Sequence, residues 1–251
     1  MVNSRSAQTF RENASCRDNA PGRYNALQRW HAAAETVGIA DVLGDAQTLG
    51  VVVPHADDET LGCGGLIAAA AARGMAVTVT VLTDGAGSHP GSRSWPPARL
   101  AQQRRRELRA AAATLGVATV IFADAPDGAL GDHRGAGVAI PAADLLVTCW
   151  RDDPHPDHRA AYFIAQAAAR RRRVPLLAFP LWVLTTEMPV PDLPLLRLDV
   201  ASALARKRAA LSHHRSQFGE LVEDVCGFVL DEELRQLFVR EDELYLRCPS
   251  G

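Results

Sequence analysis

Leu49-Gly50-Val51-Val52-Val53, followed by Pro54-His55-Ala56-Asp57-Asp58-Glu59 and then Thr60-Leu61-Gly62-Cys63-Gly64-Gly65, is the run that sets the fold class. Its first five residues do not alternate in polarity, the pattern of a strand buried on both faces of a parallel sheet. Pro54 ends the strand because proline cannot donate to a ladder. From Thr60 to Arg73 the composition turns to Ala, Leu, Ile and Gly. That predicts a tightly packed helix closed by Gly74. Val77 to Leu82, rich in β-branched residues, then supplies the second strand of a βαβ unit.

The alternation continues on both sides. Asp84-Gly85 breaks the second strand, and a polar Gly/Pro-rich loop covers 86–97. Arg99 to Leu115 reads as a helix stopped by Gly116, Val117 to Ala123 as a third strand, and 124–141 as a long loop. Leu145 to Trp150 is a fourth strand and Asp157 to Arg173 a helix. Upstream, Tyr24 to Leu43 reads as one helix with Leu27, Trp30, Ala34 and Val37 on one side. Downstream come a Pro-rich stretch over 174–195, a helix at about 200–213 and a final strand at about 243–247. This order predicts an α/β fold, a single Rossmann-like domain with a mostly parallel, doubly wound sheet. Its active site is expected at the strand C-terminal edge. The expected organisation is a flexible segment over 1–23, a helical extension over 24–48 and the main domain over 49–251.

With 251 residues, 47% of them hydrophobic, the chain can bury one substantial core. A net charge of -2 gives no general attraction to nucleic acid or to an anionic membrane. The basic runs Arg104 to Arg106 and Arg170 to Arg173 lack interleaved aromatics and read as solvated helix faces. Five scattered cysteines without a Cys-x-x-Cys argue against a disulfide framework or a structural zinc cluster, and suit a cytoplasmic protein. The first 25 residues lack the apolar core of a signal peptide, and no run approaches the roughly 20 apolar residues of a membrane span. The expected partner is a small-molecule or glycoconjugate substrate, with oligomeric state left open.

Two acidic, histidine-bearing segments each follow a predicted strand. The first is His55-Ala56-Asp57-Asp58-Glu59; the second is Asp152-Asp153-Pro154-His155-Pro156-Asp157-His158. Six carboxylates and three histidines at one sheet edge call for a counter-charge, which a divalent cation supplies. Two neutral imidazoles and one carboxylate with open positions describe a catalytic zinc site. The plainer reading makes these residues helix caps, Asp57 or Asp58 for the helix from 60 and Asp157 for the later one.

His55-Ala56-Asp57-Asp58-Glu59 resembles the His-Pro-Asp-Asp-Glu signature of the PIG-L/LmbE-like N-deacetylases, and His155-Pro156-Asp157-His158 matches their second motif. Gly62-Cys63-Gly64-Gly65, Thr83-Asp84-Gly85, Arg104-x-x-Glu107 and Lys207 through His214-x-Ser216-Gln217 agree with the same family, over roughly 49–247. Ala56 departs from it, standing where the family usually has proline. The resemblance implies one zinc ion held by His55, Asp58 and His158, with Fe2+ or Co2+ as substitutes. Asp57 is implied as general base for the attacking water, His155 as stabiliser of the oxyanion or aid to the leaving group, and Asp157 as orienter of His155. The implied reaction is removal of an N-acetyl group from an N-acetylglucosamine-containing substrate.

Other positions carry two readings. Glu59 is either support for the metal ligands or a favourable charge in a helix's first turn. Arg104 and Asp84 are expected to face substrate, against the plainer readings of a surface pair with Glu107 and a loop anchor. His214 reads as a satisfied core histidine and Cys63 as a small buried side chain. His89, Trp95 and Trp182 fall in loops that could wall a pocket. Two other functions have partial support in the sequence. Gly62-x-Gly64 with Asp84 about 20 residues on suggests a nucleotide-dependent oxidoreductase. Against it, acidic residues separate the strand from the glycines and the third glycine position is Ile67. A non-catalytic sugar- or metal-binding module would keep the ligands and lose the base, yet Asp57 is present.

Overall fold

The computed structural model describes residues 23–133, 138–224 and 226–249. In chain order the elements are α1 (Arg23–Ala33), β1 (Glu35–Val37), α2 (Ile39–Leu43), β2 (Thr48–Val53), α3 (Asp58–Ala72), β3 (Ala76–Thr83), α4 (Pro97–Leu115) and β4 (Thr119–Ala125). They continue with α5 (Leu130–His133), β5 (Leu145–Cys149), α6 (Pro156–Arg172), β6 (Leu176–Phe179), β7 (Leu195–Asp199), α7 (Leu204–Leu211), α8 (Glu232–Phe238) and β8 (Asp242–Cys248). The strands form one sheet in the order β1-β7-β8-β6-β5-β2-β3-β4. β8 runs antiparallel to β6 and β7, and the other pairings are parallel. The fold is thus a mostly parallel open α/β sheet. Among the described residues no helix is long and apolar enough to cross a membrane.

The chain leaves β2 towards β3 and β4 on one side, then returns to β5 on the other. That reversal opens a crevice beyond the carboxyl ends of β2 and β5, the usual ligand position in such sheets. Both strands are buried, β2 from Leu49 onward and β5 throughout, as their unbroken apolar runs require.

α3 is pressed hard onto the sheet. A Cβ on Gly62 would lie 2.2 Å from the Phe179 ring, and one on Gly65 would lie 2.7 Å from Val200 Cβ. The glycines therefore serve close packing and lie inside the helix, not in a phosphate-binding turn, which removes the feature behind the oxidoreductase reading. The helix also kinks at Cys63 (φ −145°, ψ 21°). There Gly65 and Leu66 donate their N–H groups to Glu243, while the Leu61 carbonyl accepts from Lys207 Nζ at 2.9 Å. Lys207 and Glu243 pair at 2.6 Å, both buried, so one ion pair replaces the interrupted helix bonds. Gly62→Ala is expected to destabilise the fold by about 1–3 kcal/mol, the usual cost of overpacking. An unchanged melting temperature would show that Phe179 moves aside freely.

Several expected elements differ. Residues 24–43 form α1, β1 and α2 instead of one helix, because Thr36 and Val37 enter a strand pairing with β7 and Gly38 starts the next turn. Ala26, Leu27 and Trp30 are buried, so this part adds an edge strand to the sheet instead of a purely helical extension. The Pro-rich 174–195 stretch hides β6, and β7 begins at its end. α5 interrupts the loop expected over 124–141, and α8 adds a short helix for which the sequence reading has no counterpart. Residues 1–22 lie outside the described residues.

Candidate active site

β2 and β5 lie side by side in parallel, with Val52 opposite Thr148. Residues leaving their carboxyl ends therefore meet. Thr148 Oγ1 donates to the Val52 carbonyl at 2.7 Å, and Pro54's carbonyl accepts from both the N–H and Oγ1 of Thr83. The base of the crevice is tied to three strands.

Asp58 stands between two histidines. Its Oδ2 lies 3.1 Å from His55 Nδ1, and its Oδ1 lies 3.5 Å from His158 Nε2. The opposite nitrogen of each ring faces another carboxylate. His55 Nε2 is 3.2 Å from Asp127 Oδ1 and 3.4 Å from Asp157 Oδ2, and His158 Nδ1 is 3.2 Å from Asp153 Oδ1. This carboxylate–histidine arrangement fixes the ring and directs its other nitrogen at a metal. His155 completes a cluster of three imidazoles, its ring centroid 4.7 Å from that of His55 and 4.9 Å from that of His158.

The donor set fits a divalent cation. Both His158 nitrogens are buried without a hydrogen bond of acceptable geometry, an arrangement that costs free energy unless another partner is supplied. Ligand atoms about 2.0–2.1 Å from a tetrahedral ion lie roughly 3.4 Å apart; the 3.1 and 3.5 Å from Asp58 to the two rings are of that size, each through a different carboxylate oxygen. Three triads have ligand atoms within 4.8 Å of one another, His55/His155/His158, Asp58/Cys149/His158 and His55/Asp127/Asp157; His55, Asp58 and His158 each belong to at least one of them but do not form one together. Burial alone would lower the pKa of His55, but Asp127, Asp157 and Asp58 raise it well above 6.5. His158 is raised in the same way, burial being overcome by Asp58 and Asp153. Burial would raise Asp58, yet His158 and His55 hold it below the ordinary carboxylate range. Protons on the two rings thus stand in for the positive charge that a cation brings.

Asp57 precedes α3 at φ 138°, ψ −29° and makes no side-chain cap bond. A non-glycine residue there carries about 1–3 kcal/mol of strain. Arg104 holds it: Nη2 donates to the Ala56 carbonyl at 2.9 Å and to Asp57 Oδ1 at 3.3 Å, while Nη1 donates to the Gly85 carbonyl. Burial and the neighbouring Asp58 push the Asp57 carboxyl up to about 6, against the pull of Arg104, His214 and His55.

The other expected site residues are placed as follows. Arg104, expected to face substrate, is buried beneath the Asp57 loop and bonded to Ala56, Asp57 and Gly85. Its neighbour Glu107 accepts from the N–H and Oγ of Ser216, so the two do not form a surface pair. Asp84 Oδ1 accepts from the N–H groups of Ala86 and Asp127, the work of a loop anchor. The cap of α6 is His155, whose Nδ1 accepts from the Asp157 N–H at 3.1 Å. The Asp157 carboxylate accepts from the N–H groups of Gly128 and Leu130 and reaches His55. Its link to His155 is through the backbone, and its carboxylate steadies His55. Burial, with His55 and His158 alongside, holds His155 well below 6.5. His155 is therefore a neutral ring with Nδ1 accepting and Nε2 carrying the proton. His89 is buried against Gly227. Trp95 lies under the Arg99 guanidinium, and Trp182 packs on Phe228 and Phe238.

Two residues gained importance only in three dimensions. Asp127 spans His55 Nε2 and the Gly87 N–H, with its side chain 9% exposed. Asp153 joins His158 to the N–H groups of His155 and Trp182. The signal for Asp127 was Pro126-Asp127-Gly128, a turn directly after β4.

No curated protein matches the chain in sequence. Among solved structures it is similar to N,N'-diacetylchitobiose deacetylase from Pyrococcus horikoshii, at 20% identity, 93% of this chain and 94% of that one, with a TM-score of 0.62. The A40926 pseudoaglycone deacetylase is 25% identical over 80% of this chain and 96% of its own, with a TM-score of 0.56. GalB, the 4-carboxy-2-hydroxymuconate hydratase from Pseudomonas putida KT2440, shares the fold at 21% identity, over 81% and 97%, with a TM-score of 0.53. The family model described as PIG-L: GlcNAc-PI de-N-acetylase matches residues 50–169, which contain both histidine–aspartate segments. Over residues 50–169 the chain is thus similar to the PIG-L family.

Proposed function

We propose that the chain is a zinc-dependent N-deacetylase that removes the N-acetyl group from an N-acetylglucosamine-containing substrate. The observation that carries this reading is the pair of carboxylate-backed histidines facing Asp58, with Asp57 held beside them. The substrate class draws on the family description and on the deacetylases named above. His55, Asp58 and His158 would hold the ion, which when bound would polarise the amide carbonyl and supply the acidity that lets water act as nucleophile near neutral pH. Nitrogen and oxygen ligands also accept Fe2+ or Co2+.

Asp57 takes the proton from the attacking water. His155, with its proton on Nε2, donates a hydrogen bond to the oxygen that gains charge as the carbonyl becomes tetrahedral. Asp127 and Asp157 hold His55 in the tautomer with Nδ1 free to ligate, and Asp153 does the same for Nε2 of His158. The deciding experiment measures acetate release and metal content over N-acetylglucosaminides of varied aglycone. Because a hydratase shares the fold, water addition to an unsaturated acid is the control. Metal-bound protein that releases no acetate from any member sinks the proposal.

His155→Ala is expected to keep its metal and lose turnover by roughly 10²-fold or more, the scale of a deleted oxyanion donor. Loss of metal in this variant would move His155 among the ligands, as the His55/His155/His158 triad permits.

A further inference from the structure

We propose that Glu59 and His214 form a buried positioning pair for Asp57, Glu59 by holding the Asp57 N–H and His214 by fixing Glu59. This rests on Asp57 being the base in the reading above. The peptide unit between Ala56 and Asp57 is gripped at both ends. Its carbonyl accepts from Arg104 Nη2 at 2.9 Å, and its N–H donates to Glu59 Oε2 at 2.9 Å. With that plane fixed, and the Asp57 carbonyl accepting from the N–H groups of Thr60 and Leu61, the chain is held at φ 138°.

The other Glu59 oxygen is engaged as well. Oε1 accepts from Thr60 Oγ1 at 2.6 Å and lies 3.2 Å from His214 Nε2. Glu59 and His214 are both 0% exposed. A carboxylate serving only as a favourable first-turn charge has no need of burial or of a partner 155 residues away; desolvating it costs free energy that is offset only by specific bonds. Thr60 Oγ1 lies 3.4 Å from His214 Nε2, so Glu59, Thr60 and His214 form one closed contact set. His214 follows α7, and Ser216 two residues on is bonded to Glu107. α4 thus braces both supports of Asp57, Arg104 directly and His214 through this turn.

The test uses the full-length, metal-loaded protein, labelled with 15N, as parent, Glu59→Ala, Glu59→Gln and His214→Ala. Three quantities are read: exchange of the Asp57 amide proton with solvent, metal content, and kcat and KM for acetate release. In Glu59→Ala the Asp57 amide should exchange about 10²-fold faster or more while the Val51 to Val53 amides are unchanged, a local opening and not global unfolding. kcat should fall by roughly 10²-fold, as for a misplaced reacting group, with KM and metal content near those of the parent. Glu59→Gln keeps an oxygen for the Asp57 N–H and should recover most of both losses, whereas His214→Ala should loosen the amide less than Glu59→Ala. Unchanged Asp57 exchange in Glu59→Ala overturns the proposal, as does an equal fall of kcat in Glu59→Gln. If the parent protein releases no acetate, the deacetylase reading fails, and the exchange measurement still decides whether Glu59 holds Asp57.

Discussion

His158→Ala is expected to purify with little bound metal and to lose acetate release by at least about 10³-fold, the equivalent of several kcal/mol of transition-state stabilisation. The ring is fully buried between Asp58 and Asp153, so its removal takes away a ligand together with one ionic partner of each carboxylate. Asp153 still accepts from the His155 and Trp182 N–H groups, and the loop after β5 should hold. A chelator should do to the parent what the substitution does, with zinc restoring activity in the parent alone. Full metal content in His158→Ala, and likewise in His55→Ala and Asp58→Ala, would sink the ligand set.

The same site predicts how metal and pH interact. His55 and His158 have raised pKa values in the metal-free protein, so their protonated pairs with the carboxylates contribute stability fully below the unfolded value of about 6.5. That contribution is lost as pH rises through the raised folded values, when the carboxylates lose their counter-charge. A bound cation restores it. The melting-temperature gap between metal-loaded and metal-free protein should therefore widen with rising pH.

How much of this was legible in the sequence depended on whether the partner was local. β2 and β5 could be read because an apolar run flanked by loop residues already states that both faces are buried. The acidic segments behind them could be placed at one sheet edge from strand polarity alone. β6 and β7 could not be read, since each is a four- or five-residue run among prolines and each becomes a strand by pairing with β8. The ligand candidates were visible as repeated His and Asp, but what stands behind them was not. Asp153 looks no different from Asp152 in sequence, yet Asp153 is buried against His158 and Asp152 is exposed. Asp127 reads as a turn residue until the loop after β4 folds over His55. Arg104 with Glu107 has the spacing of a solvent-facing pair, and only the packing of α4 on the Asp57 loop turns them inward.

Asp57→Asn separates cap from base, because the two roles predict opposite outcomes. As a cap, asparagine serves about as well as aspartate, and activity would barely change. The structure weakens that expectation, since the Asp57 side chain caps nothing and its carboxylate instead meets Arg104. Asparagine keeps nearly the same volume, and its amide oxygen can still accept from Arg104, so fold and metal content should persist. What it cannot do is take a proton. Turnover is expected to fall by about 10²- to 10⁴-fold, the usual worth of a positioned general base. The pH–rate profile supplies a second reading. In the metal-free site the Asp57 carboxyl is raised to about 6, and below that pH it holds its proton and cannot accept another. A cation alongside favours the ionised form and moves this acid limb lower. The parent should therefore lose activity as pH falls through a limb at or below about 6, while the residual activity of Asp57→Asn should lack that contribution. Acetate release near the parent rate, with the acid limb intact, would remove Asp57 from the proton transfer and leave it as a strained turn residue held by Arg104 and Glu59.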